Sequence, residues 1–118
     1  MSNLILICFV STIVMVSCQN DPNLVNAPEM SFSNNVQPII SGNCNMDGCH
    51  SSQSGQEAFP LITFDDVSSH VRPGNARNSE LYRSIANRTD RLMPPNGPLS
   101  DADILTIYLW IEQGAKNN

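Results

Sequence analysis

The residues of this chain with the clearest capacity for chemistry lie at positions 44–50, in the run CNMDGCH. This run places two thiols, Cys44 and Cys49, and the imidazole of His50 close together along the chain. Thiolate and imidazole groups are the side chains that bind transition metals most readily. Asp47-Gly48 is a turn-prone pair, so the chain between the cysteines can loop out. The spacing therefore predicts one site that both cysteines and His50 share.

The same run resembles the Cys-x-x-Cys-His motif for covalent haem attachment, with two additional residues between the cysteines. In that motif two thiols reach two vinyl groups on one edge of the porphyrin, and the adjacent histidine turns its imidazole toward the iron. Two other interpretations remain open for the run alone. One is a Cys44–Cys49 disulfide with an incidental His50, and the other is a zinc site that uses both thiolates, His50 and His70.

A second candidate for chemistry is Met93, which lies in the proline-rich run RLMPPNGPL at residues 91–99. Proline restricts the backbone, so a loop of this composition can hold a side chain in place. A thioether is a soft, neutral ligand that suits haem iron opposite a histidine. Packing in the core is the ordinary role of a single methionine, and it remains the alternative for Met93.

Short helices must position these residues, and no alternating strand pattern appears in the chain. We predict a helix over 34–42 capped by Ser33, a single turn over 65–70, a helix over 79–86, and a last helix that Ser100 opens and Gly114 ends. Ser100 and Asp103 have the spacing of a capping box. The apolar residues at helical spacing are Val36, Ile39, Ile40, Leu81, Tyr82, Ile85, Ile104, Ile107, Tyr108, Trp110 and Ile111. The predicted fold class is all-α.

These features occur in the order found in class I c-type cytochromes, and the chain from about Val36 to Ala115 resembles the planctomycete-type cytochrome c. The segments that carry the resemblance are VQPII at 36–40, CH at 49–50, PG at 73–74, SELY at 79–82, MPP at 93–95 and WIEQGA at 110–115. The resemblance implies a small cytochrome c-like domain of about four short helices around one covalently attached haem c. It implies Cys44 and Cys49 as the thioether attachments, His50 as the proximal iron ligand and Met93 as the distal ligand. The spacing between the cysteines departs from the family pattern by two additional residues, which lie in the loop at 45–48.

An iron with both axial positions filled by protein leaves no site for oxygen or peroxide, so the implied function is one-electron transfer between redox partner proteins. No catalytic triad, phosphate-binding loop or carboxylate pair appears in the sequence, and an independent enzyme is not predicted. Two alternatives remain: a haem-based module that binds or senses a small ligand in place of Met93, and a non-haem lipoprotein with a disulfide or zinc at Cys44 and Cys49.

The first 17 residues are predicted to be a signal peptide, since the apolar run LILICFVSTIVMV at 4–16 has the length of its hydrophobic region. Ser17-Cys18 resembles the cleavage site of bacterial lipoproteins, so Cys18 is predicted as a lipidated N-terminus. A signal peptide without lipidation and a short uncleaved anchor are the alternatives. The polar residues 18–31 are predicted as a flexible tether and residues 32–118 as the cytochrome c domain. Together these assignments predict an exported lipoprotein, anchored in a membrane on the periplasmic side.

The charge distribution argues against nucleic acid as a partner. The formal net charge is −5, and the chain contains no basic stripe with interleaved aromatic residues. Five of the six basic residues are arginines that lie between the first motif and Met93, namely Arg72, Arg77, Arg83, Arg88 and Arg91. Each is either a solvated surface charge or a partner for a haem propionate, and the sequence does not distinguish among them. The indole N–H of Trp110 is a further candidate donor to a propionate, although core packing is the ordinary role of tryptophan.

Overall fold

The computed structural model describes residues 22–52 and 59–118. Its helices are α1 (Gln37–Asn43), α2 (Phe64–Ser68), α3 (Glu80–Ile85) and α4 (Asp101–Glu112), with a π-helical turn at Phe32–Val36 and 3-10 turns at Leu24–Asn26 and Ala76–Asn78. This part of the chain contains no strand, and the prediction of an all-α fold is confirmed. Within the same ranges no helix is long and apolar enough to cross a membrane. The predicted signal peptide, Cys18 and the first residues of the predicted tether lie outside the described residues.

The first helical segment starts earlier than the sequence predicts. Ser31, rather than Ser33, is the cap, because the Ser31 hydroxyl accepts the Asn34 N–H at 3.3 Å. Ser33 instead donates twice to the carbonyl oxygen of Asn118, from its backbone N–H and from its hydroxyl, each at 2.9 Å. The predicted cap is therefore wrong, because the Ser33 hydroxyl is hydrogen-bonded to the backbone carbonyl of Asn118 instead of to the start of the helix.

The core forms where α4 packs against the Phe32–Val36 turn and α2. Trp110 is fully buried, and its ring centroid lies 5.6 Å from that of Phe32. Phe32 in turn meets Phe64 edge to face at 5.1 Å. Such aromatic pairs contribute about 0.5–1.5 kcal/mol each beyond the burial of their area. This cluster joins three segments that are distant in sequence and gives α4 a fixed orientation.

Trp110 also has its polar group satisfied within the core. Its indole N–H donates to the carbonyl oxygen of Lys116 at 3.0 Å. The chain reaches that position because Gly114 adopts a φ of +104°, which turns it back after α4. The expectation that Trp110 packs in the core is therefore confirmed, and its candidate role as a donor to a propionate is wrong.

The end of α4 also holds the segment that precedes the domain. The Gln113 side chain accepts the Met30 N–H at 2.8 Å and donates to the Pro28 carbonyl at 2.9 Å. Lys116 and Glu29 form an ion pair at 3.0 Å. These contacts hold residues 28–30 against the folded domain. The division between tether and domain at residue 32 stays a prediction.

A capping box is present at the start of α2, where the sequence analysis did not predict one. At α2, the Thr63 hydroxyl accepts the Asp66 N–H at 3.2 Å, and the Asp66 carboxylate accepts the Thr63 N–H at 2.8 Å. At α4, the Ser100 hydroxyl caps Asp103 N at 3.1 Å and donates to the Asp103 carboxylate at 2.8 Å. The predicted cap at Ser100 is confirmed. The predicted capping box is not complete, because the Asp103 carboxylate accepts from the Ser100 hydroxyl. In a capping box the carboxylate accepts from the backbone N–H of the cap residue.

Ile107 and Leu105 provide a test of the packing of α4. Ile107 is fully buried and Leu105 is 41% exposed on the same helix. We expect Ile107→Ala to lower the free energy of unfolding by about 2–5 kcal/mol, because it leaves a cavity in the core. Leu105→Ala, the control, should change it by no more than about 0.5 kcal/mol. Urea denaturation followed by far-UV circular dichroism measures both, and equal losses would contradict the packing described.

The capping box at α2 predicts a pH dependence of stability. Hydrogen bonds from the backbone and hydroxyl of Thr63 hold the pKa of Asp66 below its ordinary value of 3.8. Because the folded-state pKa is depressed, Asp66 stabilises the fold above its unfolded-state pKa, and this stabilisation is lost as the pH falls through the folded-state pKa. We expect Asp66→Asn to be less stable than wild type at neutral pH, with the difference vanishing in strong acid. Asp65→Asn removes a charge from the same first turn and leaves the capping box intact. If it gives the same pH profile, the assignment to the box is wrong.

Candidate functional site

A cavity of about 600 Å³ lies between the 43–50 segment, α3 and the loop at 91–98. Its lining includes Cys44, Cys49, His50 and Met93, so the structure brings all the predicted site residues to one place. Most of the remaining wall is apolar and includes Leu61, Leu81 and Ile85 together with prolines of the 91–98 loop. The volume lies within the range of about 300–1,000 Å³ that ligand pockets show.

The loop at 44–50 is closed by its own backbone. Cys44 caps the C-terminus of α1, with its N–H donating to Ile40 O at 2.8 Å. Cys49 N–H donates to Met46 O at 2.9 Å across a turn in which Gly48 has a φ of +79°, a conformation that favours glycine. His50 N–H then returns to Cys44 O at 3.0 Å. The turn predicted at Asp47-Gly48 is present, and it holds both thiols and the imidazole on one wall of the cavity.

The two thiols are not joined in a disulfide. Burial, and secondarily the neighbouring Cys49, raises the pKa of Cys44 to about 11, so this thiol stays protonated at neutral pH. Among the described residues, no group of three or more histidine, cysteine, aspartate or glutamate side chains is arranged to hold a metal ion. The geometry of this part of the chain therefore forms neither the disulfide nor the zinc site that the motif alone left open.

His50 is oriented by the backbone of a different segment. Its Nδ1 lies 2.7 Å from the carbonyl oxygen of Phe59. A carbonyl only accepts, so this contact assigns the ring proton to Nδ1 and leaves the lone pair on Nε2 for a metal. The Leu61 N–H donates back to His50 O at 2.8 Å, which joins the 59–61 segment to the loop from both sides. The sequence gave no signal for the role of the Phe59 carbonyl.

The backbone of Met93 is held by α3, which also lines the cavity. Its backbone N–H donates to Ser84 O on α3 at 3.0 Å. The following residues Pro94 and Pro95 stiffen the loop, and Gly97 N–H closes a turn onto Pro94 O at 3.3 Å. Met93 is half-buried, and it is one of the residues that line the cavity. The loop thus presents a thioether to the same space as His50.

Glu80 is a cavity residue that the sequence analysis missed. Its carboxylate is paired with His70 Nδ1 at 2.8 Å, and both residues line the cavity. The ring of His70 stacks on Phe59 with centroids 3.8 Å apart. His70 is therefore engaged on two sides, by a carboxylate and by an aromatic ring. The signal available in the sequence was weak, because an acidic residue in the first turn of a helix is ordinary.

The chemistry of this donor set fits a haem. Two thiols, an imidazole with a free Nε2 and the thioether of a separate loop line the same cavity, and apolar residues form much of the remaining wall. Imidazole and thioether are the protein ligands found on haem iron in c-type cytochromes. The residues that would hold the cofactor are therefore already assembled around a space of suitable size.

Comparison with known proteins agrees with a haem-binding role for the cavity. The family described as planctomycete cytochrome C matches residues 48–97. The matched range includes Cys49, His50 and Met93, whereas Cys44 and α4 lie outside it. No curated protein matches the chain, and no solved structure matches it. The match over residues 48–97 supports a cytochrome c-like domain in this part of the chain.

Proposed function

We propose that this protein is a monohaem c-type cytochrome that carries single electrons between redox partner proteins in an exported, membrane-associated chain. The observation that carries this proposal is the convergence of Cys44, Cys49, His50 and Met93 on one cavity. The family match over residues 48–97 supports the same conclusion. The two cysteines, which lie outside any disulfide, would provide the thioether attachments.

His50 and Met93 would be the two axial ligands. The Phe59 carbonyl fixes the ring of His50 and increases the basicity of its Nε2, which is the usual effect of a second hydrogen bond on a metal-bound imidazole. Met93 supplies a neutral sulfur from a loop whose backbone is bonded to α3. Haem, when bound, supplies reversible one-electron chemistry at its iron, with a potential that methionine opposite histidine raises.

The remaining residues of the cavity insulate and hold this centre. Leu61, Leu81 and Ile85 are buried and present apolar surface to the cavity, which lowers the local dielectric and keeps water away. The closure of the 44–50 loop and the bond between Met93 N–H and Ser84 O restrict movement of both ligand-bearing segments. Restricted segments suit an electron carrier, because the same ligands must serve both oxidation states.

The geometry favours a carrier over a module that senses small ligands. A sensing role needs Met93 to leave its position so that a small molecule can take its place. The backbone of Met93 is bonded to Ser84, and the two prolines that follow it stiffen the loop. Both features support a methionine that stays in position.

The first experiment is a visible spectrum of the protein expressed with haem-attachment machinery, together with haem staining after denaturing electrophoresis. We expect a stained band, a sharp α band on reduction, and the charge-transfer band of methionine bound to iron in the oxidised protein. Met93→Ala should remove the charge-transfer band and let the reduced protein bind carbon monoxide, because the distal ligand is lost.

Met46→Ala is the matched control for this experiment. Met46 also lines the cavity, but it is 47% exposed, and we expect its removal to leave the spectrum unchanged. A colourless, unstained wild-type protein would overturn the cytochrome assignment. Carbon monoxide binding by the reduced wild type would instead favour the sensing module.

The proposal also includes attachment to a membrane through Cys18. It is supported by the apolar run at 4–16 and the Ser17-Cys18 pair. We expect Cys18→Ser to move the protein from the membrane fraction to the soluble periplasmic fraction and to abolish labelling by a radioactive fatty acid. Cys8→Ser, which changes a cysteine within the apolar run, should do neither. Membrane attachment that survives Cys18→Ser would rule out the lipid anchor and favour an uncleaved one.

A further inference from the structure

The structure separates five arginines that the sequence could not tell apart. Arg91 lines the cavity that holds Cys44, Cys49, His50 and Met93, and none of the other four does. Arg72 and Arg83 line a neighbouring cavity of about 470 Å³, Arg88 lies over the ring of Tyr82 at 5.9 Å, and Arg77 belongs to the 3-10 turn at Ala76–Asn78. Only one arginine is therefore placed to meet a group bound in the main cavity.

Arg91 lines the cavity and forms no salt bridge with the described residues. The carboxylate of Glu80, which lines the same cavity, is already paired with His70 at 2.8 Å. Arg91 is exposed at the edge of the cavity, and a guanidinium is a suitable partner for an anionic ligand because it is always charged and presents a fork of N–H donors.

The backbone around Arg91 is held in place next to Met93. The Arg91 N–H donates to the Thr89 hydroxyl oxygen at 3.3 Å, and that hydroxyl donates back to Arg91 O at 2.9 Å. Two residues further on, Met93 N–H is bonded to Ser84 O at 3.0 Å. The stem of the Arg91 side chain therefore starts from a constrained turn in the loop that also presents the thioether.

We propose that Arg91 is the residue that binds and neutralises a propionate carboxylate of the haem. The inference rests on the proposed function, since it needs a haem in the cavity. A guanidinium fork matches the two oxygens of a carboxylate and can donate two parallel hydrogen bonds to them. The same positive charge offsets the negative charge of the propionate near the iron, and it therefore raises the reduction potential and lowers the pKa of the propionate.

The test compares holoprotein variants in potentiometric titrations over a range of pH. Arg91→Gln should lower the reduction potential, because the propionate charge is no longer offset and favours the oxidised iron. It should also move the acid inflection of the potential to higher pH, because a carboxylate without its cation binds a proton more tightly. Arg88→Gln removes the same charge from outside the cavity and should leave the inflection where it is in wild type. Arg91→Lys keeps the charge without the fork, and its inflection should lie between those of wild type and Arg91→Gln.

His70 and Glu80 line the same cavity and can add an inflection of their own, so the series is repeated in a His70→Gln background. An inflection that Arg91→Gln still moves in that background belongs to the propionate. If Arg91→Gln and Arg88→Gln lower the potential equally and neither moves the inflection, Arg91 is only a surface charge and the inference is overturned. Retention of the methionine charge-transfer band and of the thermal unfolding midpoint checks that each variant keeps its fold and ligation.

The outcomes also separate this inference from the proposed function. A wild-type protein that retains no covalent haem would contradict the proposed function. A wild-type protein with haem and the methionine band, combined with an unmoved inflection in Arg91→Gln, would leave the cytochrome assignment intact and remove only the role of Arg91.

Discussion

A carbonyl oxygen can only accept a hydrogen bond, and the 2.7 Å contact between Phe59 O and His50 Nδ1 therefore assigns the ring proton to Nδ1 and leaves the lone pair of Nε2 for a metal. The return bond from Leu61 N–H to His50 O, at 2.8 Å, makes the link rigid. Without this link the 44–50 loop would present two thiols and an imidazole of undefined orientation. The proposed chemistry at the cavity depends on this pair of bonds between two segments.

The domain divides into a packed side and a cavity side that share α3. On the packed side, α4, the Phe32–Val36 turn and α2 meet through aromatic contacts around the fully buried Trp110. On the cavity side, Leu81 and Ile85 of α3 turn apolar surface toward a space of about 600 Å³. For a domain this small, such a space removes a large share of the possible core, and a bound cofactor would complete it. The packed side can hold the ligand-bearing loops because its contacts do not pass through the cavity.

Charge is distributed in keeping with this division. The chain as a whole carries a formal charge of −5, and five of its six basic residues are arginines between positions 72 and 91. One carboxylate at the cavity, that of Glu80, is paired with His70 within the protein, which leaves the Arg91 charge available to a bound anion. The cavity therefore offers a positive charge to a bound anion in a molecule that is acidic overall.

The sequence by itself determined the all-α class of fold, the approximate positions of the helices, and four residues that line the cavity, namely Cys44, Cys49, His50 and Met93. These depend on apolar periodicity, on turn formers such as Gly48 and on the order of short motifs, all of which act over a few residues. Tertiary structure alone decided that Ser31 rather than Ser33 caps the first segment and that the Lys116 carbonyl accepts the Trp110 indole N–H. It also decided that the Phe59 carbonyl orients His50 and that Arg91 is the arginine that lines the cavity. The hydroxyl of Ser33, for example, finds its acceptor 85 residues away. A hydrogen-bonding group selects its partner by position in space, and packing of distant segments sets that position in a way that local sequence does not encode.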